Sequence, residues 1–304
     1  MPFFRRRSLA VLAGVDLTLV VLALVTLVFW SSISSADSAI TVQKVDEATF
    51  TPQPRTEPFF ILLVGNDARP GLEGIRGDGI HLLGVNPAAG SATILNIPRD
   101  TYVPVPGFGS AKINEGYLLG GLQKQLEAVS VFTGVNFSFV VTPNFDGFQA
   151  MVDEMGGMVV DVPYRMFDRA SGADFEPGFR HMMGPGALSY ARNRNIPGGD
   201  ISRTTHHGQL LQAALTRARE VTHSPVETMR LVGMISRHTR FEGVGLQDFY
   251  GLVTLGLSID PANVRNVTMP SRVGQVGKAS VVFAGAGADS LFADFRDDGI
   301  LQSH

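Results

Sequence analysis

The sequence predicts an α/β (α+β) protein, a central mixed sheet flanked by helices on both faces, behind one N-terminal transmembrane helix. Three observations predict it. A triple arginine, Arg5-Arg6-Arg7, precedes the apolar run Leu9–Trp30. Three short apolar runs, Phe59–Val64, Gly79–Val85 and Ser91–Ile97, follow one another and end at Gly65, Asn86-Pro87 and Pro98; such punctuation marks strands. Beyond them, segments of helical period alternate with further short apolar runs, the pattern of a sheet covered by helices. At 304 residues and 44% hydrophobic, the chain can bury one large domain or two small ones.

As a helix, Leu9–Trp30 spans about 33 Å, one bilayer core. The arginines keep residues 1–8 as a cytoplasmic tail and place the remainder outside. A cleaved signal peptide has a shorter apolar core, about 7–15 residues, so an uncleaved anchor is expected for residues 9–30. Residues 31–58 are polar, carry Pro52, Pro54 and Pro58, and read as an extracytoplasmic stalk. The folded domain is then residues 59–304. After the three strands, Thr101–Ser110 contains two prolines and two glycines and reads as a loop. Lys112–Phe132, Asn144–Met155, Gly184–Ala191, Ser202–Val221, Pro225–Thr239, Leu246–Leu257 and Ala288–Arg296 read as helices. Phe137–Val141, Met158–Val162 and Val264–Met269 read as strands, and Tyr164–Met183 as irregular.

The composition excludes some chemistry. There is no cysteine, hence no disulfide and no thiol nucleophile. A net charge of -3 offers no bulk attraction to nucleic acid, and the short tail before the anchor is too small for a helix-turn-helix. Lysine occurs only at Lys44, Lys112, Lys124 and Lys278. Cationic work therefore falls on arginine, the better bidentate phosphate ligand.

The charged residues of interest sit at strand ends. If the first two strands pair as a hairpin, Asp67 and Arg69 after one lie beside Arg76 and Asp78 before the next. Arg99 and Asp100 follow the third strand. Two carboxylates and several guanidiniums on one rim suit a divalent cation holding a phosphate-bearing substrate; ion pairs between loops would give the same spacing. Arg192-Asn193-Arg194 leads into Asn195-Ile196-Pro197, so it is expected to be extended, with both arginines facing one way to embrace a single diphosphate. Arg203, in the first turn of the Ser202 helix, opposes the helix dipole, which a nearby anion would explain. Asp200 reads as that helix's cap. Asp100 is available as a general base toward an acceptor hydroxyl, although an Asp after a strand is most often structural. His81, within a strand, reads as packed.

The order of motifs, G-N-D-A-R-P, R-G-D-G, N-I-P-R-D-T-Y-V, K-I-N-E-G-Y, D-E-M-G-G-M-V-V-D-V, A-L-S-Y-A-R-N-R and G-D-I-S-R-T, resembles the LytR-CpsA-Psr family of membrane-anchored bacterial cell-wall proteins. The resemblance is strongest from Phe59 to Val221. It implies a sheet flanked by helices with an apolar tunnel for a polyprenyl chain. The implied activity is that of a metal-dependent phosphotransferase, moving a glycopolymer from a polyprenyl-diphosphate donor to peptidoglycan through a phosphodiester. The implied cofactor is Mg2+, or another divalent cation such as Mn2+, held by Asp67 and Asp78. Arg76 and Arg99 correspond to arginines near the diphosphate, Lys112 and Asn114 to a K-x-N motif, and Arg192, Arg194 and Arg203 to later arginines. Arg99, Arg76 and Asp100 are thus the expected catalytic residues. The expected diphosphate ligands are Arg69, Arg76, Arg99, Lys112, Asn114, Arg192, Arg194, Arg203 and His207. The chain departs from the family pattern at Ala68, at Gly79, where Thr is usual, and at His207, where Gln is common. Hydrolysis of the same donor, and a non-catalytic lipid- or glycan-binding wall scaffold, are the alternatives.

Overall fold

The computed structural model describes residues 40–45, 56–66 and 76–302. The cytoplasmic tail, the anchor Leu9–Trp30 and most of the proposed stalk lie outside the described residues, as do Asp67 and Arg69. Among the described residues no helix is long and apolar enough to cross a membrane.

In chain order the strands are β1 (Ile40–Lys44), β2 (Phe59–Asn66), β3 (Gly77–Asn86), β4 (Ser91–Ile97), β5 (Tyr102–Val105), β6 (Gly109–Lys112), β7 (Phe139–Thr142), β8 (Met158–Val162), β9 (Met166–Asp168), β10 (Ala173–Phe175), β11 (Gly178–Met182), β12 (Thr239–Glu242), β13 (Val264–Thr268), β14 (Ser271–Val276) and β15 (Ala279–Ala284). The helices are α1 (Glu115–Thr133), α2 (Phe145–Glu154), α3 (Gly184–Arg192), α4 (Gly199–Glu220), α5 (Pro225–Arg237), α6 (Leu246–Ser258) and α7 (Ala288–Asp298). The central sheet has seven strands in the order β12-β1-β7-β2-β3-β4-β13. It is mixed: β2-β3-β4 form an antiparallel meander, while β4 and β13, β2 and β7, and β1 and β12 run parallel.

Alternation along the strands divides the core in two. Leu62, Val64, Ile80, Leu82, Leu95 and Ile97 point to one face and pack with α1 and α7. Phe59, Ile61, Leu83, Val85, Ile94 and Phe139 point to the other and pack with α4, α5 and α6. Each of the fully buried Leu62, Ile80, Leu82 and Leu95 contributes on the order of 1.5–3 kcal/mol by leaving water. Helices therefore cover both faces, as expected. A third cluster joins α2, α3 and α4 to the β8/β11 ladder through Met158, Val160, Met182 and Tyr190.

Several expectations are corrected. Part of the proposed stalk, Ile40–Lys44, is a strand of the central sheet, paired to β7 and β12. Its alternation is short but real: Ile40 and Val42 are buried and the residues between them are not. Thr101–Ser110 is the β5/β6 hairpin and not a loop. Its glycines and prolines mark the tip at Pro106-Gly107 and an edge position at Pro104, and Val103 and Val105 are buried. The helix predicted from Lys112 begins only after Asn114, because β6 takes Lys112. It breaks at Gly120-Gly121, where Gly121 has φ 69° and ψ -161°, a conformation open essentially to glycine alone. Tyr164–Met183 contains three short strands. β12 and the β14/β15 hairpin were not expected at all.

Glycine sets the distance of α7 from the sheet. A Cβ at Gly84 would lie 2.6 Å from the Gly299 carbonyl oxygen and 2.7 Å from its Cα, and backbone cannot yield as a side-chain tip can. Gly84→Ala is expected to cost about 1–3 kcal/mol. Gly256→Ala, in α6 with open space around it, should add about 0.5–1 kcal/mol. Urea unfolding midpoints of the two variants, moving in opposite directions, check the pair.

Candidate active site

The β2/β3 pairing places Asn66 opposite Gly77, so the residues at the end of β2 and the start of β3 gather at one rim. Asp78, two places before Ile80, leaves the sheet there. Its Oδ2 accepts a hydrogen bond from Arg99 Nη1 at 2.5 Å, and its Oδ1 one from Asn114 Nδ2 at 2.9 Å. Arg99 stands just past the end of β4. The Asn114 N–H donates to its carbonyl at 3.2 Å, which fixes the entry of α1 against the strand end.

The opposite wall is the start of α4. Arg203 Nε donates to Asp200 Oδ1 at 3.0 Å, and its Nη2 reaches the Asp78 backbone carbonyl at 3.4 Å. Arg99 Nε lies 3.2 Å from Asp200 Oδ2. Arg194 lies 4.0 Å from Asp78 and 3.9 Å from Asp200 and is more than half exposed. Asp200, read from the sequence as a cap, thus joins three guanidiniums and makes no cap hydrogen bond from its side chain. Burial works to lower the Arg99 pKa, but the carboxylates of Asp200, Asp78 and Asp100 outweigh it and the group is raised. For Arg203 burial wins over Asp200, and its pKa is lowered. Arg203 is the more buried of the two, and the charges of Arg99 and Arg194 oppose its own.

Behind the charged rim is a cavity of about 610 Å³. Arg192, Arg194, Arg203 and Asp78 lie at its polar end; Leu63, Phe145, Phe148, Leu188, Leu210 and Leu211 line the remainder. Phe145 and Phe148 reach this space, while Phe132 and Phe137 pack on the other side of the sheet. Asp168 also lines it; sequence reasoning passed over it because Tyr164–Met183 showed no strand period. Burial would raise its carboxyl, but hydrogen bonds from Ala170 and Ser171 hold it below the usual range.

Arg192 and Arg194 both line the cavity, while Asn193 between them is fully buried in extended backbone. Arg192 closes α3 and the chain turns extended only at Asn193, so the expected fully extended segment is not found, although both arginines reach the cavity. Arg192 also stacks over the Phe145 ring at 5.3 Å. Lys112 is turned away to Asp100, Nζ to Oδ1 at 2.9 Å, and neither lines the cavity. Arg76 is exposed, immediately before β3, and does not line it either. His207 does line it, but both ring nitrogens are engaged: Nε2 with the Ala191 carbonyl at 2.8 Å and Nδ1 with His81 Nε2 at 3.2 Å.

An apolar cavity beside a cluster of guanidiniums has the chemistry to suit an amphiphile with a polyanionic head. The LytR_cpsA_psr family model matches residues 25–291, and the chain belongs to that family. It is 30% identical over 313 residues to the probable cell wall biosynthesis protein LcpB of Corynebacterium glutamicum, covering 97% of this chain and 73% of that one. It is 36% identical over 165 residues to the polyisoprenyl-teichoic acid–peptidoglycan teichoic acid transferase TagU of Bacillus mycoides. That match covers 54% of this chain and 53% of TagU, so the chain spans about half the length of such relatives. The crystal structure of B. subtilis TagV superposes with a TM-score of 0.68 at 25% identity, over 79% of this chain and 95% of that one. The fold is also that of TagT with bound octaprenyl pyrophosphate lipid, with a TM-score of 0.64, 21% identity, and 85% and 97% coverage.

Two outcomes are expected. Asp200→Asn removes the carboxylate of the buried Arg203 and should lower stability by about 1–3 kcal/mol in thermal unfolding. His81 and His206 are both held neutral by burial, their pKa lowered to about 4. Between pH 6.5 and 4 the unfolded chain binds protons that the folded chain refuses. Stability is therefore full above pH 6.5 and falls by up to about 1.4 kcal/mol per pH unit per histidine as the pH drops. Chemical unfolding of the ligand-free protein at a series of pH values reads this directly.

Proposed function

We propose that this protein is a phosphotransferase that moves a glycopolymer from a polyprenyl-diphosphate carrier to peptidoglycan, forming a phosphodiester. The observation that carries the reading is the continuity of the apolar cavity with the Arg192, Arg194 and Arg203 cluster. The names of the relatives, a teichoic acid transferase and a cell wall biosynthesis protein, support it. The polyprenyl chain occupies the space between Phe145, Phe148, Leu210 and Leu211. The diphosphate lies against Arg194, Arg203 and Arg192, with Arg69 from the adjoining segment. Phosphoryl transfer asks a protein chiefly for positioning and for positive charge on the phosphoryl oxygens, and Arg99 stands where it can supply that charge as the acceptor hydroxyl attacks.

The residues fit a divalent cation, Mg2+ or Mn2+. Asp78 keeps lone pairs beyond its two hydrogen bonds, and the Asn114 Oδ1 beside it is buried with no partner. Magnesium is commonly held by one or two carboxylates together with substrate phosphates and water, and Asp67 is the second carboxylate of the proposed site. Such an ion, when bound, supplies charge neutralisation at the diphosphate. Asp100 is fixed by Lys112 at the end of β4, next to Arg99, and is the base nearest the rim for an acceptor sugar hydroxyl. Anchoring by Leu9–Trp30 would bring the domain to the outer face of the bacterial membrane, where lipid-linked donor and peptidoglycan meet.

The test is to incubate the full chain with a polyprenyl-diphosphate sugar, a peptidoglycan fragment and magnesium. A covalent sugar-phosphate-peptidoglycan product is expected, and Arg203→Ala should lower kcat/KM by about 10²–10³. No product, or full activity in Asp78→Ala, would overturn the reading. Release of sugar phosphate to water alone would reassign the protein as a hydrolase.

A further inference from the structure

His81 and His207 face each other in a row of close polar contacts, one end fixed by the Ala191 backbone carbonyl and the other by the side-chain amide of Asn96. At one end His207 Nε2 lies 2.8 Å from the Ala191 carbonyl oxygen. A carbonyl only accepts, so Nε2 carries a hydrogen. At the other end His81 Nδ1 lies 2.7 Å from Asn96 Oδ1. The orientation of that amide is set twice over. Asn96 Nδ2 donates to the Val267 carbonyl at 2.9 Å and to Asn266 Oδ1 at 2.6 Å. Asn266 is itself oriented by donating from Nδ2 to the Thr205 carbonyl at 3.1 Å. Asn96 therefore presents its oxygen, and His81 Nδ1 also carries a hydrogen.

Two neutral imidazoles own two N–H hydrogens, and both are now placed at the ends. The nitrogens left in the middle, His81 Nε2 and His207 Nδ1, face each other at 3.2 Å. With two lone pairs there is no bond; a third proton closes it. The pair then carries one positive charge shared across the two rings.

The surroundings decide when that proton is present. Facing the pair are Arg203 and His206 on the same helix, Arg192 and Arg194 at the end of α3, Asp78 at the start of β3, and Asp200 beyond Arg203. β4 and β13 bring only the amides of Asn96 and Asn266. Burial and the Arg203 charge keep both rings neutral in the ligand-free chain, lowering His81 to about 4 and His207 well below its usual value. Both rings line the cavity next to Arg192, Arg194 and Arg203. An anion there opposes the Arg203 charge and favours the charged form of the pair.

We propose that His81 and His207 take up one proton from solvent when a diphosphate enters the arginine cluster, and so act as a proton-coupled positioning pair for the anion. The proton bridges His81 Nε2 and His207 Nδ1 and leaves again when the anion departs. The inference rests on the diphosphate reading of the site and extends it. Two positions where the chain departs from the family pattern, Gly79 and His207, meet at this pair: a Cβ on Gly79 would lie 3.4 Å from His81 Nε2. Affinity for the anion is accordingly highest at acid pH. It weakens as the pH rises above the pKa of the ligand-free pair, by up to about tenfold per unit until the bound-state pKa is passed.

The experiment uses inorganic pyrophosphate and the full chain in detergent micelles. Calorimetric titration at pH 6 in two buffers of different ionisation enthalpy counts the protons taken up. Wild type is expected to take up about one proton more than His207→Gln, the ligand's own titration being common to both. The ring-nitrogen chemical shifts of wild type should also turn from neutral to imidazolium on adding pyrophosphate, a readout that needs no variant. Equal proton uptake in the two proteins, or neutral shifts in the complex, overturns the proposal. If pyrophosphate binds with a Kd that Arg203→Ala weakens but without the extra proton, only the proposal falls. If it does not bind at all, the diphosphate reading falls with it.

Discussion

Arg99 is held between two carboxylates, Asp78 on one side and Asp200 on the other. This crossing ties the end of β4 to the start of β3 and to the first turn of α4, three segments far apart in the chain. Without it the rim would present mutually repelling guanidiniums with nothing to fix their spacing. With it, Arg203 and Arg194 are brought in at the edges of the same carboxylate pair. Counting Arg192, four guanidiniums then gather about two carboxylates, and the surplus positive charge is directed at the cavity mouth. An arginine cluster of this kind is tolerable in an empty protein only when internal carboxylates neutralise part of it. The neutralisation is incomplete, which leaves the cluster positive charge for the proposed diphosphate.

Much of the site was legible in the sequence because strand ends are legible. Gly65, Asn86-Pro87 and Pro98 stop three apolar runs, and the charged residues flanking such stops must lie on a rim. The Arg192/Arg194 pair was only partly readable, since Pro197 does not keep Arg192 out of α3 and the chain turns extended only at Asn193. The side chain that each arginine meets could not be read. Asp200 looked like a helix cap because an acidic residue before a helix usually is one; its role appears only when β4 is laid beside α4. Lys112 shows the converse. It occupies the motif position of a phosphate ligand, yet the β5/β6 hairpin carries it to Asp100.

The sheet was less legible at its margins than at its centre. β2, β3 and β4 are buried on both faces and read as continuous apolar runs. β1 and β12 are short and alternating, and their signal resembles that of a polar linker. The hairpin β5/β6 is dominated by glycine, proline and small residues, so a residue-by-residue reading sees a turn where the backbone forms a ladder, and the valines of β14/β15 are interrupted by glycine, serine and polar residues. His81 is the sharpest case. A histidine inside an apolar strand reads as a packed ring, and it is packed. Its meaning lies in its two partners, one fifteen residues away and one on another layer of the fold.

The placement of β1 has a mechanical consequence. Between Trp30 and Ile40 the chain has nine residues, which covalent geometry limits to ~30 Å. On the proposed anchoring, tension from the membrane enters the domain at β1. That strand is clasped by β7 on one side and β12 on the other, so a pull along its axis loads two ladders of hydrogen bonds in shear and peels neither as an edge. On that reading the domain is held by a strap woven into its own sheet.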